Sequence, residues 1–192
     1  MEVFEAIKSR RSIRHYKPEG VDEKTVTSVL EAAHWAPSWS NNQCWRFIIV
    51  KDIKIKTQIA DTLTKIKIDD EMLENAGATA IKQAPLLIVV CAEKGQAGYN
   101  TDGTTTTDKG KYWFMFDVAL AMENLTLAAH AVSLGTVIIG GFDSVEVEHV
   151  LGVPDGFAVV AMTPLGYPEE KGQVSPRKKL VEVIYQEKFG NK

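Results

Sequence analysis

The sequence predicts an α+β fold, and three observations carry that reading. Four apolar runs have the composition of buried strands: WRFIIV from Trp45, PLLIVVCA from Pro85, TVIIGG from Thr136 and FAVVAMTPLG from Phe157. Helical patterns lie between them, but without the regular strand–helix–strand rhythm of a doubly wound sheet. The length of 192 residues suits a single domain over residues 1–192, and no internal repeat divides it.

Taken in order, Met1–Ser9 reads as a short amphipathic helix bearing Glu2, Glu5 and Lys8. Pro18 and Gly20 break the chain, and Asp22 is placed to cap a helix running to about Trp35, with Leu30, Ala33 and Ala36 on one face. APSWSNNQC, residues 36–44, reads as loop, because Pro, Ser and Asn favour turns and compete with helix hydrogen bonding. Trp35, Trp39 and Trp45 bracket this loop and are expected to pack its base, with Trp39 placed to edge a pocket. After the strand at Trp45, residues 53–77 have helical composition with a break near Asp69. The strand from Pro85 leads into EKGQAGYNTDGTTTTDKGK, Glu93–Lys111, a connection of the length that makes a lid, a binding loop or a mobile surface segment.

The segment Tyr112–Gly135 is apolar almost all the way round, so both faces need cover: one from the sheet, the other from a partner subunit. It is long enough to span a bilayer, but Asp117, Glu123, Asn124 and His130 would be costly there. Asp117 and Asn124, seven residues apart, read as buried hydrogen-bonding side chains. A short helix at Ser144–Leu151 separates the last two strands. KLVEVIY, from Lys179, reads as a strand or an extended arm.

The chain carries 22 basic and 25 acidic residues, a net charge of −3. That balance argues against a general binder of nucleic acid or anionic membranes. Cys44 and Cys91 lie outside any CxxC or Cys/His cluster and read as buried, reduced thiols. His15, His34, His130 and His149 have no ligand spacing, so no metal site is expected. Met1–Ser9 does not read as a signal peptide, and a cytoplasmic location is expected.

Against that acidic background, RRSIRHY, Arg10–Tyr16, stands out. Guanidinium groups suit phosphate because two parallel N–H groups meet two oxygens at once. In an extended backbone Arg10, Ser12 and Arg14 project to one side, with Arg11 and Ile13 on the other. Near the C-terminus SPRKKL supplies Arg177, Lys178 and Lys179. Neither stretch has the glycine loop of a P-loop or of a dinucleotide fold, so a phosphate here would be gripped by side chains from both ends of the chain. Ser38–Gln43 offers amides suited to a heterocycle edge, and Gly140 and Gly141 let backbone N–H groups approach a flat ring. A phosphate and a hydrogen-bonding heterocycle together describe a nucleotide-like ligand.

In order and spacing, RRSIRHY, APSWSNNQCWRFIIV, GTVIIGGFD and LGYP…SPRKKL resemble the signature segments of the nitroreductase-like FMN-dependent oxidoreductases, over Val3 to about Tyr185. The resemblance implies a three-layer sandwich with a central, mostly antiparallel sheet flanked by helices. It also implies a homodimer with FMN at the subunit interface and an exchanged C-terminal arm. Carried over, it puts Arg10, Ser12, Arg177 and Lys179 around the FMN phosphate and ribityl chain, and Arg14 near the pyrimidine end. Pro37, Ser38, Asn41 and Gln43 would reach the flavin from the other subunit. Gly140 and Gly141 would lie by the ring, and Arg11, Ile138 and Ile139 complete the cofactor-binding set. Two departures stand out: Cys44 replaces the family's usual proline after the loop glutamine, and Gly140 stands where some members have glutamate. Further polar contacts from mid-chain are not placed, although Lys65 and Lys67 lie in that region.

The implied activity is ping-pong, two-electron reduction of nitroaromatic, quinone or related acceptors, with NADH or NADPH as donor and no side chain required as proton donor or nucleophile. Two alternatives stand beside it. One is a non-catalytic FMN-binding or redox-sensing protein. The other is a family variant acting on C=C bonds, aryl halides or flavin itself. Glu93–Lys111, ending just before Trp113, Phe114 and Phe116, is expected to cover the substrate space and set acceptor preference.

Overall fold

In the computed structural model, which describes residues 1–68 and 70–191, the chain runs α1 (Val3–Ser9), α2 (Glu23–His34), β1 (Trp45–Val50), α3 (Ile53–Asp61), β2 (Ile66–Ile68), β3 (Glu71–Leu73), α4 (Ala76–Gln83), β4 (Leu86–Glu93), α5 (Trp113–Ala131), β5 (Gly135–Thr136), α6 (Ser144–Leu151), β6 (Phe157–Gly166) and α7 (Leu180–Val183). The main sheet has the order β1-β4-β6-β5, with every neighbouring pair antiparallel. This is the expected α+β class.

The layering follows from β4. Every residue from Leu86 to Ala92 is buried, so the strand has no polar face to turn to water. Because strand side chains alternate, Leu86, Ile88, Val90 and Ala92 point into one cluster with α2 and α5. Leu87, Val89 and Cys91 point into a second cluster, with Ile59 of α3, Ile81 of α4 and Val147 of α6. One strand thus feeds two cores, giving a sheet covered by helices on both sides.

Helix starts are set by side-chain caps. Asp22 accepts from the Thr25 N–H at 2.9 Å, Asp52 from Lys54 and Ile55 N–H, and Asp143 from Val145 and Glu146 N–H. Helix α6 stops at Gly152, whose φ of 63° is the left-handed conformation glycine adopts cheaply. In α5, Val118, Met122, Leu125 and Ala129 face the first cluster, whereas Met115 and Phe116 remain exposed. No helix among the described residues is long and apolar enough to cross a membrane.

Three expectations are corrected. Residues 53–77 are not helical throughout: α3 ends at Asp61 and is followed by the antiparallel hairpin of β2 and β3. The expected break, at Asp69, lies outside the described residues. Of TVIIGG only the first residue, Thr136, lies in a strand, where it joins Gly135 to make up β5. Beyond it Val137 donates to the Thr163 hydroxyl, Ile139 exchanges backbone bonds with Met162, and the chain then leaves the sheet. The tail at Lys179 is neither a strand nor wholly extended, because Leu180–Val183 forms one short helix.

Candidate functional site

The arginine segment is stitched to the sheet edge. Ser12 bridges Thr136 in parallel, and the Ile13 N–H donates to the Thr136 carbonyl at 2.9 Å. Farther on, Lys17 N–H donates to the Tyr167 carbonyl and Glu169 N–H to the His15 carbonyl. The expected alternation holds over three residues, with Ser12 and Arg14 facing out and Ile13 buried, and ends there, since His15 is exposed and Tyr16 buried. Arg11 turns its guanidinium onto the carbonyls of Lys8 and Arg10, both at 2.7 Å, and so caps the end of α1.

The C-terminal stretch lies against the same segment. A side-chain carbon on Gly172 would collide with the Arg11 Cβ, and one on Gly135 would come within 2.9 Å of Ile13. Between the two stretches lies a cavity of about 910 Å³, walled by Arg10, Arg11, Ser12 and Arg14 from one end of the chain and Glu170 and Arg177 from the other. Arg10, Arg14 and Arg177, together with Lys8, outnumber the single Glu170 carboxylate, while the Arg11 guanidinium is engaged with backbone carbonyls. Such a surplus of fork-shaped donors suits a phosphate or another multivalent oxyanion. Lys179 is not brought to the cavity wall; it stands exposed as the N-cap residue of α7.

Behind this wall the Ser9 hydroxyl lies 2.7 Å from His130 Nε2. Burial lowers the His130 pKa, and the nearby Arg10 and Arg11 guanidinium groups lower it further, so the ring adds no charge to the socket at neutral pH.

The amide loop is a strained turn. Ser40, Asn41 and Gln43 have φ values of 47°, 56° and 52°, a left-handed conformation that costs a non-glycine residue about 1 kcal/mol or more. It is held by named bonds. Ser38 Oγ accepts from the Gln43 N–H at 2.9 Å, and the Gln43 amide donates to Asn41 Oδ1 at 3.1 Å. The Trp39 N–H donates to both carboxylate oxygens of Asp117, at 3.2 and 3.1 Å. Pro37 and Asn41 are exposed, and Ser38 and Gln43 half-buried. Of the three tryptophans, Trp45 is buried and Trp39 stacks edge-on against Trp113 at 4.6 Å. Trp35 does not pack the loop's base, being 78% exposed.

The glycine segment is pinned from behind. Thr64 N–H donates to the Gly141 carbonyl, and Asp143 N–H to the Thr62 carbonyl. Gly140 has open space where a side chain would stand, and Ile138 is exposed. Ile139 is buried with its N–H committed to Met162, so its part is structural. Neither this segment nor the amide loop lines the arginine cavity of the same chain. Lys65 pairs with Glu74 at 3.5 Å, and the Lys67 side chain lies outside what the structure describes.

Burial and the Asp117 carboxylate push the Cys44 thiol up to about 11, and burial and Glu148 do the same for Cys91. Both are free, protonated thiols at neutral pH. Residues 93–111 form a small closed hairpin. Tyr99 bridges Thr105, Asn100 N–H donates to the Thr104 carbonyl, and Gly98 and Gly110 approach so closely that neither could carry a Cβ unmoved. Sequence reasoning found the arginines and the amides but missed the part of Glu170 and Gly172 in the cavity, which no periodicity signals.

A model of the nitroreductase family matches residues 7–167. The chain is 30% identical over 174 residues to a putative NADH dehydrogenase/NAD(P)H nitroreductase of Methanothermobacter thermautotrophicus, covering 88% of this chain and 79% of that one. It is 32% identical over 181 residues to the 5,6-dimethylbenzimidazole synthase of Rhodospirillum rubrum, covering 89% and 84%. The crystal structure of a nitroreductase family protein from Clostridium novyi NT superposes with a TM-score of 0.75 at 31% identity, covering 100% of this chain and 96% of that one.

Proposed function

The chain belongs to the nitroreductase family, and on that premise we propose that it is an FMN-dependent NAD(P)H oxidoreductase reducing electron-poor acceptors, nitroaromatics or quinones, by a ping-pong, two-electron cycle. The observation that carries the reading is the convergence of Arg10, Ser12, Arg14 and Arg177 on one cavity. Its volume of about 910 Å³ is of the size that takes a cofactor. The donor set fits a phosphate-bearing flavin.

Bound FMN would supply the hydride chemistry, from nicotinamide to acceptor. The chain's own residues bind and orient. Arg10, Ser12 and Arg177 would hold the phosphate and Arg14 would offer positive charge to the pyrimidine end; Lys179, which stands off the cavity wall, is left out of that set. The amide loop and the glycine segment lie away from the cavity of their own chain, which fits a homodimer in which Pro37, Ser38, Asn41 and Gln43 of a second copy complete each site. The exposed Gly140, with open space where a Cβ would stand, would let a flat ring approach its backbone.

Purified protein is expected to bind FMN and to sustain oxidation of NADH or NADPH in the presence of a nitroaromatic or quinone. A dimer-sized preparation that takes up no FMN overturns the assignment. Tight FMN binding without turnover instead selects a flavin-binding protein. A second reading, a family variant acting on C=C bonds, aryl halides or flavin itself, is separated by the same assay with those substrates.

The closed hairpin at 93–111 is assigned to acceptor selection, because it abuts the first turn of α5 with its exposed Met115 and Phe116. Deleting Thr104–Thr107 should change the ratio of kcat/KM between acceptors severalfold and leave FMN affinity as it was. Equal ratios for every acceptor would remove this role.

A further inference from the structure

We propose that Asp117 is a positioning residue of the flavin site: its buried carboxylate brackets the two ends of the Ser38–Gln43 loop and so sets where Asn41 and Gln43 present their amides. The inference rests on the FMN reading above. It concerns a residue that does not itself line the arginine cavity.

Asp117 is a lone carboxylate on the inward face of α5, 1% exposed, among Val118, Ala121 and Met122. Among the described residues no cation pairs with it. Two of its partners come from the loop and one from its own helix: both oxygens accept from the Trp39 N–H, the Cys44 thiol lies 3.8 Å from Oδ2, and the Trp113 side chain also hydrogen-bonds to the carboxylate. Trp39 opens the turn and Cys44 closes it, so one side chain ties together the ends of the strained stretch 40–43. Trp113, one helical turn before Asp117, stacks on Trp39 and fixes the same end from the side.

For the fold alone an apolar residue at 117 would serve as well, because a buried carboxylate has to recover its lost hydration from hydrogen bonds. What the carboxylate adds is direction. Left-handed backbone at Ser40, Asn41 and Gln43 persists only where the surroundings over-determine it, and Asp117 together with Ser38 Oγ does so. The thiol at position 44 acts here as a donor to the carboxylate. That gives Cys44 a physical role in holding the loop.

The test compares Asp117→Ala and Asp117→Asn with Asn124→Ala. Asn124 lies on the same helix and donates to the Ala32 carbonyl of α2, away from the loop, and so reports a merely structural loss. Three quantities are read on each FMN-titrated protein: the FMN dissociation constant, the visible circular dichroism of bound flavin, and thermal stability. Asp117→Ala should weaken FMN binding roughly 10- to 100-fold and change the flavin dichroism. Asp117→Asn should fall between it and the parent. Asn124→Ala should lower the melting temperature while leaving both flavin readouts alone.

Folded Asp117 variants with parental FMN affinity and dichroism overturn the proposal. So does an Asn124→Ala variant that moves the flavin signals equally. If both Asp117 variants fail to fold, Cys44→Ala decides: a changed dichroism supports the bracket, and an unchanged one removes it. Failure of the parent protein to bind FMN removes the FMN reading and this proposal with it, a result distinct from an inert Asp117.

Discussion

Replacing Arg10 and Arg177 together by alanine is expected to give a folded protein that retains almost no FMN. Hydrogen bonds to charged groups contribute about 1.5–3 kcal/mol each. At 1.4 kcal/mol per tenfold, each arginine is worth roughly 10- to 150-fold in affinity, and the pair about 100-fold at the least. The two residues reach the cavity from opposite ends of the chain. Melting temperature should hold or rise, because the free protein loses two positive charges from a cluster that also holds Lys8, Arg11 and Arg14. Flavin fluorescence quenching on titration reads the affinity directly. A double variant binding FMN as the parent does would show that the phosphate is held elsewhere.

Leu87→Ala is expected to be the most destabilising simple truncation in the sheet. Leu87 is fully buried on the face of β4 that meets α3, α4 and α6. Truncating such a leucine costs about 2–5 kcal/mol in lost transfer energy and cavity formation. For a chain of this size that lowers Tm by roughly 4–20 °C. Ile49→Ala on β1, 42% exposed, is the control and should cost far less. Differential scanning calorimetry of the two variants, flavin-free, checks the ranking; equal losses would contradict the assignment of β4 as the strand shared by both cores.

What was legible in the chain was whatever lay within one element. WRFIIV, PLLIVVCA and FAVVAMTPLG announce buried strands because apolar side chains run without a break, and the structure places β1, β4 and β6 on them. Asp22 capping α2 was readable from its own neighbours. The hairpin of β2 and β3 was not, since strands of three residues leave a pattern too short to tell from a helical one. TVIIGG misled for a related reason: apolar side chains fill the core whether or not the backbone pairs, and only Gly135–Thr136 form a strand.

The site divides along the same line. Strand alternation foretold Ser12 and Arg14 facing out and Ile13 facing in, but not that Arg11 lines the same cavity as Arg10, Ser12 and Arg14. The bond from the Trp39 N–H to Asp117 spans 78 residues, and its only trace in the sequence is a carboxylate in an otherwise apolar helix. Lys179 looked equivalent to Arg177 by composition. Two residues of chain suffice to carry it away from the cavity wall.

A sheet ordinarily has two unpaired borders at which a foreign strand could add. Here the β5 border is closed by the chain's own beginning, since Ser12 and Ile13 occupy the hydrogen-bonding edge of Thr136. The main sheet is left with one border, β1, where Arg46 is drawn back onto Glu93 at 3.1 Å and Ile49 stands partly bare. The stretch proposed to grip an anion is therefore also a seal against runaway strand addition, and losing the first thirteen residues would open a template for aggregation along with removing one wall of the cavity.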